Sequence, residues 1–82
     1  MSYLAEHSLQ IASIISTLES IVRSRGVRVR RLTVAIPEST PRTSFAPELQ
    51  RRLASRGMPD VDLQILVDGP DARVVAVEYE RE

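Results

Sequence analysis

At 82 residues and 9.2 kDa the chain has room for one small domain, 1–82, because two halves would each fall below the size at which a core holds. With 43% apolar and 27% charged residues it has the composition of a globular protein, which excludes a disordered or fibrous repeat. The absence of cysteine excludes a disulfide framework, a zinc ribbon, an iron–sulfur centre and a thiol nucleophile, and the formal net charge is zero.

Leu4, Ile11, Ile14, Ile15, Leu18, Ile21 and Val22 recur at three-to-four spacing and predict an amphipathic helix from about Ser2 to Arg25. Acidic Glu6 near its start, Arg23 and Arg25 in its last turn and Gly26 after it suit those ends. The segment is neither a secretory signal, since Glu6 and His7 stand where the basic stretch belongs, nor a membrane span, since serines, Gln10 and Glu19 interrupt it. A cytoplasmic protein is expected.

From Val27 to Ile36 apolar and polar residues alternate, but the phase changes: Val27 and Val29 share one parity, Leu32, Val34 and Ile36 the other. Either a β-bulge near Arg30 and Arg31 or a strand beginning only at Arg30 reconciles the two. Pro37 ends the strand, and Pro37 to Ser44 reads as a mobile loop of about eight residues. Phe45, Leu49 and Leu53 then predict a short second helix with Pro47 in its first turn and Gly57 beyond its end. Val61, Leu63, Ile65 and Val67 form one further alternating strand and Val75, Val77 and Tyr79 another, joined through Asp68-Gly69-Pro70-Asp71-Ala72 as a hairpin. The expected fold is α+β, in the order α-β-α-β-β, with two helices packed on one face of a three-stranded sheet. Leu66, Val74 and Ala76 then point to the opposite face, which a chain of this length cannot cover, so a homo-oligomer or a protein partner is expected.

Charge is divided along the chain. Nine arginines against four acids give the part up to Arg56 a net of +5, and two arginines against seven acids give the remainder a net of −5. The two parts either neutralise one another by packing or present opposite faces to partners. Arg28, Arg30 and Arg31 on the first strand, with Arg51, Arg52 and Arg56 on the second helix, are the one constellation suited to phosphate or nucleic-acid contact. Three aromatic residues, no GxxG loop and no net positive charge argue against a nucleic-acid binder, and Glu48 is spaced to pair with Arg51 and Arg52. Glu78, Glu80 and Glu82 alternate on the last strand, either as a solvated edge or as donors to a hard cation. The lone histidine, His7, lies beside Glu6 and lacks the further donors that a metal site needs, and no nucleophile-elbow motif accompanies it, so no enzymatic activity is expected.

A run of features resembles the nickel-binding domain of the HypA-type hydrogenase metallochaperones. Glu6-x-Ser8-Leu9 opens the first helix, Gly26 follows it, and Val29-x-x-Leu32-x-Val34-x-Ile36 forms the strand. Phe45-x-Pro47-Glu48-Leu49, Gly57 and Val61-x-Leu63-x-Ile65 complete the match, which spans roughly Glu6 to Ile65. The resemblance implies a helix, strand, helix, strand scaffold and a role beside a metalloenzyme or its maturation. It also implies nickel held by the amino terminus and a Met-His-Glu start. Here residue two is Ser2, and aligning Glu6 with the family glutamate puts Ala5 at the histidine position. The cysteine-bearing zinc domain is missing, and Pro37 replaces the glycine that follows the strand. The reading is a retained scaffold with the metal site lost, a non-enzymatic accessory domain. The alternatives are a nickel carrier using the amino terminus, Glu6 and His7, and an arginine-dependent nucleic-acid binder.

Overall fold

The computed structural model describes the backbone of residues 3–81 and the side chains of residues 9–81. It contains α1 (Tyr3–Arg25), β1 (Val27–Ile36), α2 (Arg42–Ser55), β2 (Asp62–Val67) and β3 (Arg73–Arg81), the expected α+β order. Both helices pack on one face of the sheet: α1 lies against β1, β3 and α2, and α2 against β2. The core between them is aliphatic apart from Phe45. Ile11, Ile14, Ile15 and Leu18 come from α1, Leu32, Val34 and Ile36 from β1, and Leu49 and Leu53 join Phe45 from α2. Leu4, expected on the same stripe of α1, lies outside the described side chains.

Gly26 ends α1 in the left-handed conformation, φ 61°, with its amide donating to the Val22 carbonyl at 2.9 Å, so β1 starts one residue later. The change of phase in β1 is a true bulge. Against β3 the register slips between Val29 and Arg31, so Arg30 has no opposite number, and Val29 and Leu32 are both buried on the helix side. A second slip between Thr33 and Val34 leaves Val75 unopposed on β3.

The strand order is β2-β1-β3, which corrects the expected hairpin. β1 and β2 run parallel, joined by the α2 crossover, and β3 lies antiparallel on the other side of β1. The connection after β2 therefore passes over the end of β1 instead of turning back on itself. Its path is fixed at both ends. The Asp68 amide donates to the Ile36 carbonyl at 3.0 Å, and the Arg73 guanidinium donates to the Asp68 and Asp71 carbonyls and the Asp68 carboxylate.

The loop after β1 is also shorter than expected. α2 begins at Arg42, with the Ser44 and Phe45 amides both donating to the Pro41 carbonyl, and Pro47 falls in the second turn, not the first. Pro47 removes the one bond that would reach back to Thr43. Within the remaining connection the Thr40 amide donates to the Pro37 carbonyl at 2.9 Å and Thr40 is buried, so this is an ordered turn rather than an open loop. The second β3 irregularity reverses one face assignment: Val74 pairs with Val34 and packs against the core, whereas Leu66 and Ala76 remain on the uncovered face.

Candidate functional site

Two regions carry most of the described side chains singled out from the sequence: the uncovered face of the sheet and the end of the molecule where β1 begins. On the uncovered face, Arg31 of the central strand stands in register with Asp62 on one side and Glu78 on the other. Its Nε donates to Asp62 Oδ2 at 3.0 Å and its Nη1 lies 3.1 Å from Glu78 Oε2. The Asp62 hydrogen bond and then the Glu78 charge hold the Arg31 guanidinium protonated even more firmly than usual. Beside this triplet Arg28 and the bulged residue Arg30 both donate to Glu80, at 2.8 and 3.3 Å. The bulge makes this possible, since it brings the two arginines to one carboxylate. The Arg28 hydrogen bond holds the Glu80 carboxyl below its ordinary range; partial burial opposes this, and the nearby charges of Arg30 and Arg28 reinforce it.

The first and last strands thus neutralise one another, and the basic and acidic parts of the chain meet chiefly along the β1–β3 ladder. Glu78 and Glu80 are taken up by arginines, while Glu82 lies outside the described residues. Among the described residues no group of three or more histidine, aspartate or glutamate side chains is arranged to hold a metal ion. The side chains of Glu6 and His7, the expected nickel donors, also lie outside the described residues.

The six arginines do not form one surface. Arg51 and Arg52 stay on α2, both bound to Glu48, the latter at 3.3 Å. Partial burial pushes the Glu48 carboxyl up, but the hydrogen bonds and charges of Arg51 and then Arg52 outweigh it and hold it below the usual range. Arg31 belongs to the sheet face, and Arg28, Arg30 and Arg56 converge on the β1 end, where Arg56 lies 3.5 Å from Glu19. Every member of the constellation is therefore engaged by a carboxylate.

The β1 end holds two adjoining cavities of about 320 and 370 Å³, which share Arg28, Val29, Gly57 and Met58. Their shape follows from how α2 stops. Gly57 takes φ 82°, its amide donates to the Ala54 carbonyl, and the Met58 amide reaches back to the Leu53 carbonyl at 2.9 Å, a Schellman ending. That turn aims Met58 toward the start of β1. Gln50 Nε2 donates to the Val61 carbonyl at 3.3 Å and ties the far side of the same connection to α2. Sequence reasoning missed this groove and with it Arg23, because the residues come from four separate elements; the glycine after α2 was the only local signal.

The other end of the uncovered face is apolar apart from Arg73, which stands across Ala35 from Leu66 and is paired with Asp68. Leu66 and Val75 remain about half exposed, at 48% and 51%, with Ala76 beside them. Among the described residues no helix is long and apolar enough to cross a membrane. No family model, no curated protein and no solved structure matches this chain.

Proposed function

We propose that this chain is a non-enzymatic interaction domain that self-associates through the uncovered face of its sheet. The observation that carries this reading is the division of that face into an apolar end, with Leu66, Val75 and Ala76, and an ionic end already neutralised within the chain. Apolar surface on a sheet face favours burial. The paired end offers no net charge to attract an oppositely charged partner, and equally no charge to repel a copy of itself. A two-fold dimer places the same patch against itself, which such a face tolerates. An accessory role beside a metalloenzyme or its assembly fits the resemblance to the HypA-type scaffold, and the α-β-α-β order of residues 3–67 supports it.

The test is mass in solution by multi-angle light scattering across a wide range of concentration, for the native chain and for Leu66→Arg. A dimer that dissociates in the variant is the expected result. A mass of 9.2 kDa for the native chain at every concentration would refute self-association. Because Leu66 is half exposed, its replacement leaves the core intact, and unchanged circular dichroism would verify this.

A further inference from the structure

The two cavities at the β1 end differ in charge and together form a polarised groove. The smaller has an apolar floor of Val22, Val27, Val29 and Met58, of which Val22 and Met58 are only partly buried. Its rim carries Arg23, Arg28 and Arg56 against one acid, Glu19. The larger carries Asp60, Asp62 and Glu80 beside Arg28 and Arg30; Asp62 is paired with Arg31, and Glu80 with Arg28 and Arg30, which leaves exposed Asp60 in no ion pair among the described residues. Arg23 is exposed and makes no ion pair among the described residues, whereas Glu19 is shared with Arg56 at the long distance of 3.5 Å. The smaller cavity therefore combines one uncompensated cation, Arg23, with an apolar base, and the larger, one step along, holds one uncompensated acid, Asp60.

We propose that this groove binds the carboxy-terminal end of a protein partner. Its free carboxylate and apolar last side chain enter the smaller cavity beside Arg23, and a lysine or arginine a few residues earlier faces Asp60 in the larger. A carboxylate gains charge-assisted hydrogen bonds from guanidinium forks, and capture of a chain terminus is a recurring mode of peptide recognition. The size agrees, since each cavity is at the lower end of the roughly 300–1,000 Å³ range of ligand sites and suits one or two side chains rather than a folded surface. An extended segment advances about 3.3 Å per residue, so a basic residue three places before the end lies roughly 10 Å from the terminal one, enough to reach the neighbouring cavity. A small apolar acid would meet Arg23 but leave Asp60 of the larger cavity without a counterpart, and this difference favours the peptide.

Fluorescence anisotropy with the full chain tests the proposal. The probe is a hexapeptide labelled at its amino end, ending in leucine and carrying lysine three residues earlier. Saturable binding is expected, weakened about tenfold or more by amidation of the peptide terminus, by lysine to glutamate in the peptide, and by Arg23→Ala in the protein. Octanoate is expected to compete only far above the peptide concentration that saturates. Absence of saturable binding, equal binding of acid and amide, indifference to Arg23→Ala, or octanoate competing as strongly as the peptide would each overturn the proposal. Arg23 is exposed, so its replacement leaves the core intact, and circular dichroism of the variant verifies this. Leu66→Arg is expected to leave the affinity unchanged, so failure here is distinguishable from failure of self-association through the sheet.

Discussion

Thr33 stands in register with Gln64 of β2 on one side and Ala76 of β3 on the other, and this triplet tests the strand order directly. With neighbouring strands about 4.8 Å apart, Gln64 and Ala76 are separated by roughly 9.6 Å, whereas a disulfide needs Cα atoms within about 7 Å. Thr33 and Ala76 meet that limit, since directly opposed antiparallel residues lie about 4.5–5.5 Å apart. The chain has no cysteine, so paired substitutions introduce the only thiols. Thr33→Cys with Ala76→Cys is expected to close to an intramolecular disulfide on mild oxidation, and Gln64→Cys with Ala76→Cys to keep both thiols free. A β2–β3 hairpin about residues 68–72 would reverse the outcome, because it sets Gln64 opposite Ala76. Closing a loop of about 43 residues lowers the entropy of the unfolded chain by the equivalent of about 4 kcal/mol before any strain. For a chain this small, with a urea dependence of about 1 kcal/mol per molar, the oxidised variant should unfold at a midpoint roughly 2–4 M higher than its reduced form. Thiol titration and intact mass report closure, and circular dichroism in urea reports the midpoint. Ready closure of the Gln64 and Ala76 pair, with the Thr33 and Ala76 thiols left free, would refute the β2-β1-β3 order.

Phe45→Ala removes the chain's only phenylalanine from a fully buried position and is expected to cost about 3–5 kcal/mol, a large part of the roughly 4–12 kcal/mol available to a domain of this size. Leu9→Ala, at a residue 73% exposed, should stay within about 0.5 kcal/mol, and urea unfolding that ranks the two equally would contradict the packing of α2. Glu48 and Glu80 both titrate below their ordinary range in the folded chain. Their contribution is therefore complete above the unfolded glutamate value, roughly pH 4.3, and is lost as pH falls through the lower folded values. The urea midpoint should decline through that window, less steeply in Glu80→Gln, and a midpoint unchanged on acidification would contradict the ion-pair geometry. Calorimetric titration with nickel is expected to show no submicromolar binding. Such binding, abolished by His7→Ala, would replace the interaction reading with that of a nickel carrier.

The helices and the change of phase in β1 were legible in the sequence because each is written in local periodicity, although the phase change alone left a later start of the strand as open as a bulge. Ile11, Ile14, Ile15 and Leu18 report a 3.6-residue period, and the change of parity between Val29 and Leu32 marks where the extra residue falls. The partner of β3 was not legible in the same way. Asp68-Gly69-Pro70-Asp71 has turn chemistry, and consecutive strands are usually neighbours, so local signals favour a hairpin. Five residues also span the end of β1, since a connection of that length reaches about 16–18 Å against the roughly 9.6 Å required. Turn chemistry alone therefore does not distinguish a hairpin from a crossing. The start of α2 differs from the sequence expectation for a related reason: Pro47 suits a first turn, but a helix can begin earlier and forgo one bond at its second turn.

What separates the two strand orders is charge, and that signal was present in the sequence without being decisive. Arginines at Arg28, Arg30 and Arg31 placed together on a central strand repel one another unless carboxylates stand on the neighbouring strand. β2 offers only Asp62 near them, whereas β3 offers Glu78 and Glu80 at matching positions. Opposed pairs of unlike charge stabilise a ladder and like pairs weaken it, so antiparallel pairing of β3 with β1 relieves both strands at once. The same pairing leaves the ionic end of the uncovered face neutral. It also accounts for the arginine constellation: a run of basic residues that suggested phosphate contact is the counterpart of an acidic strand some 50 residues later. Arg23 has no such counterpart among the described residues, and it lines the smaller cavity at the β1 end of the molecule.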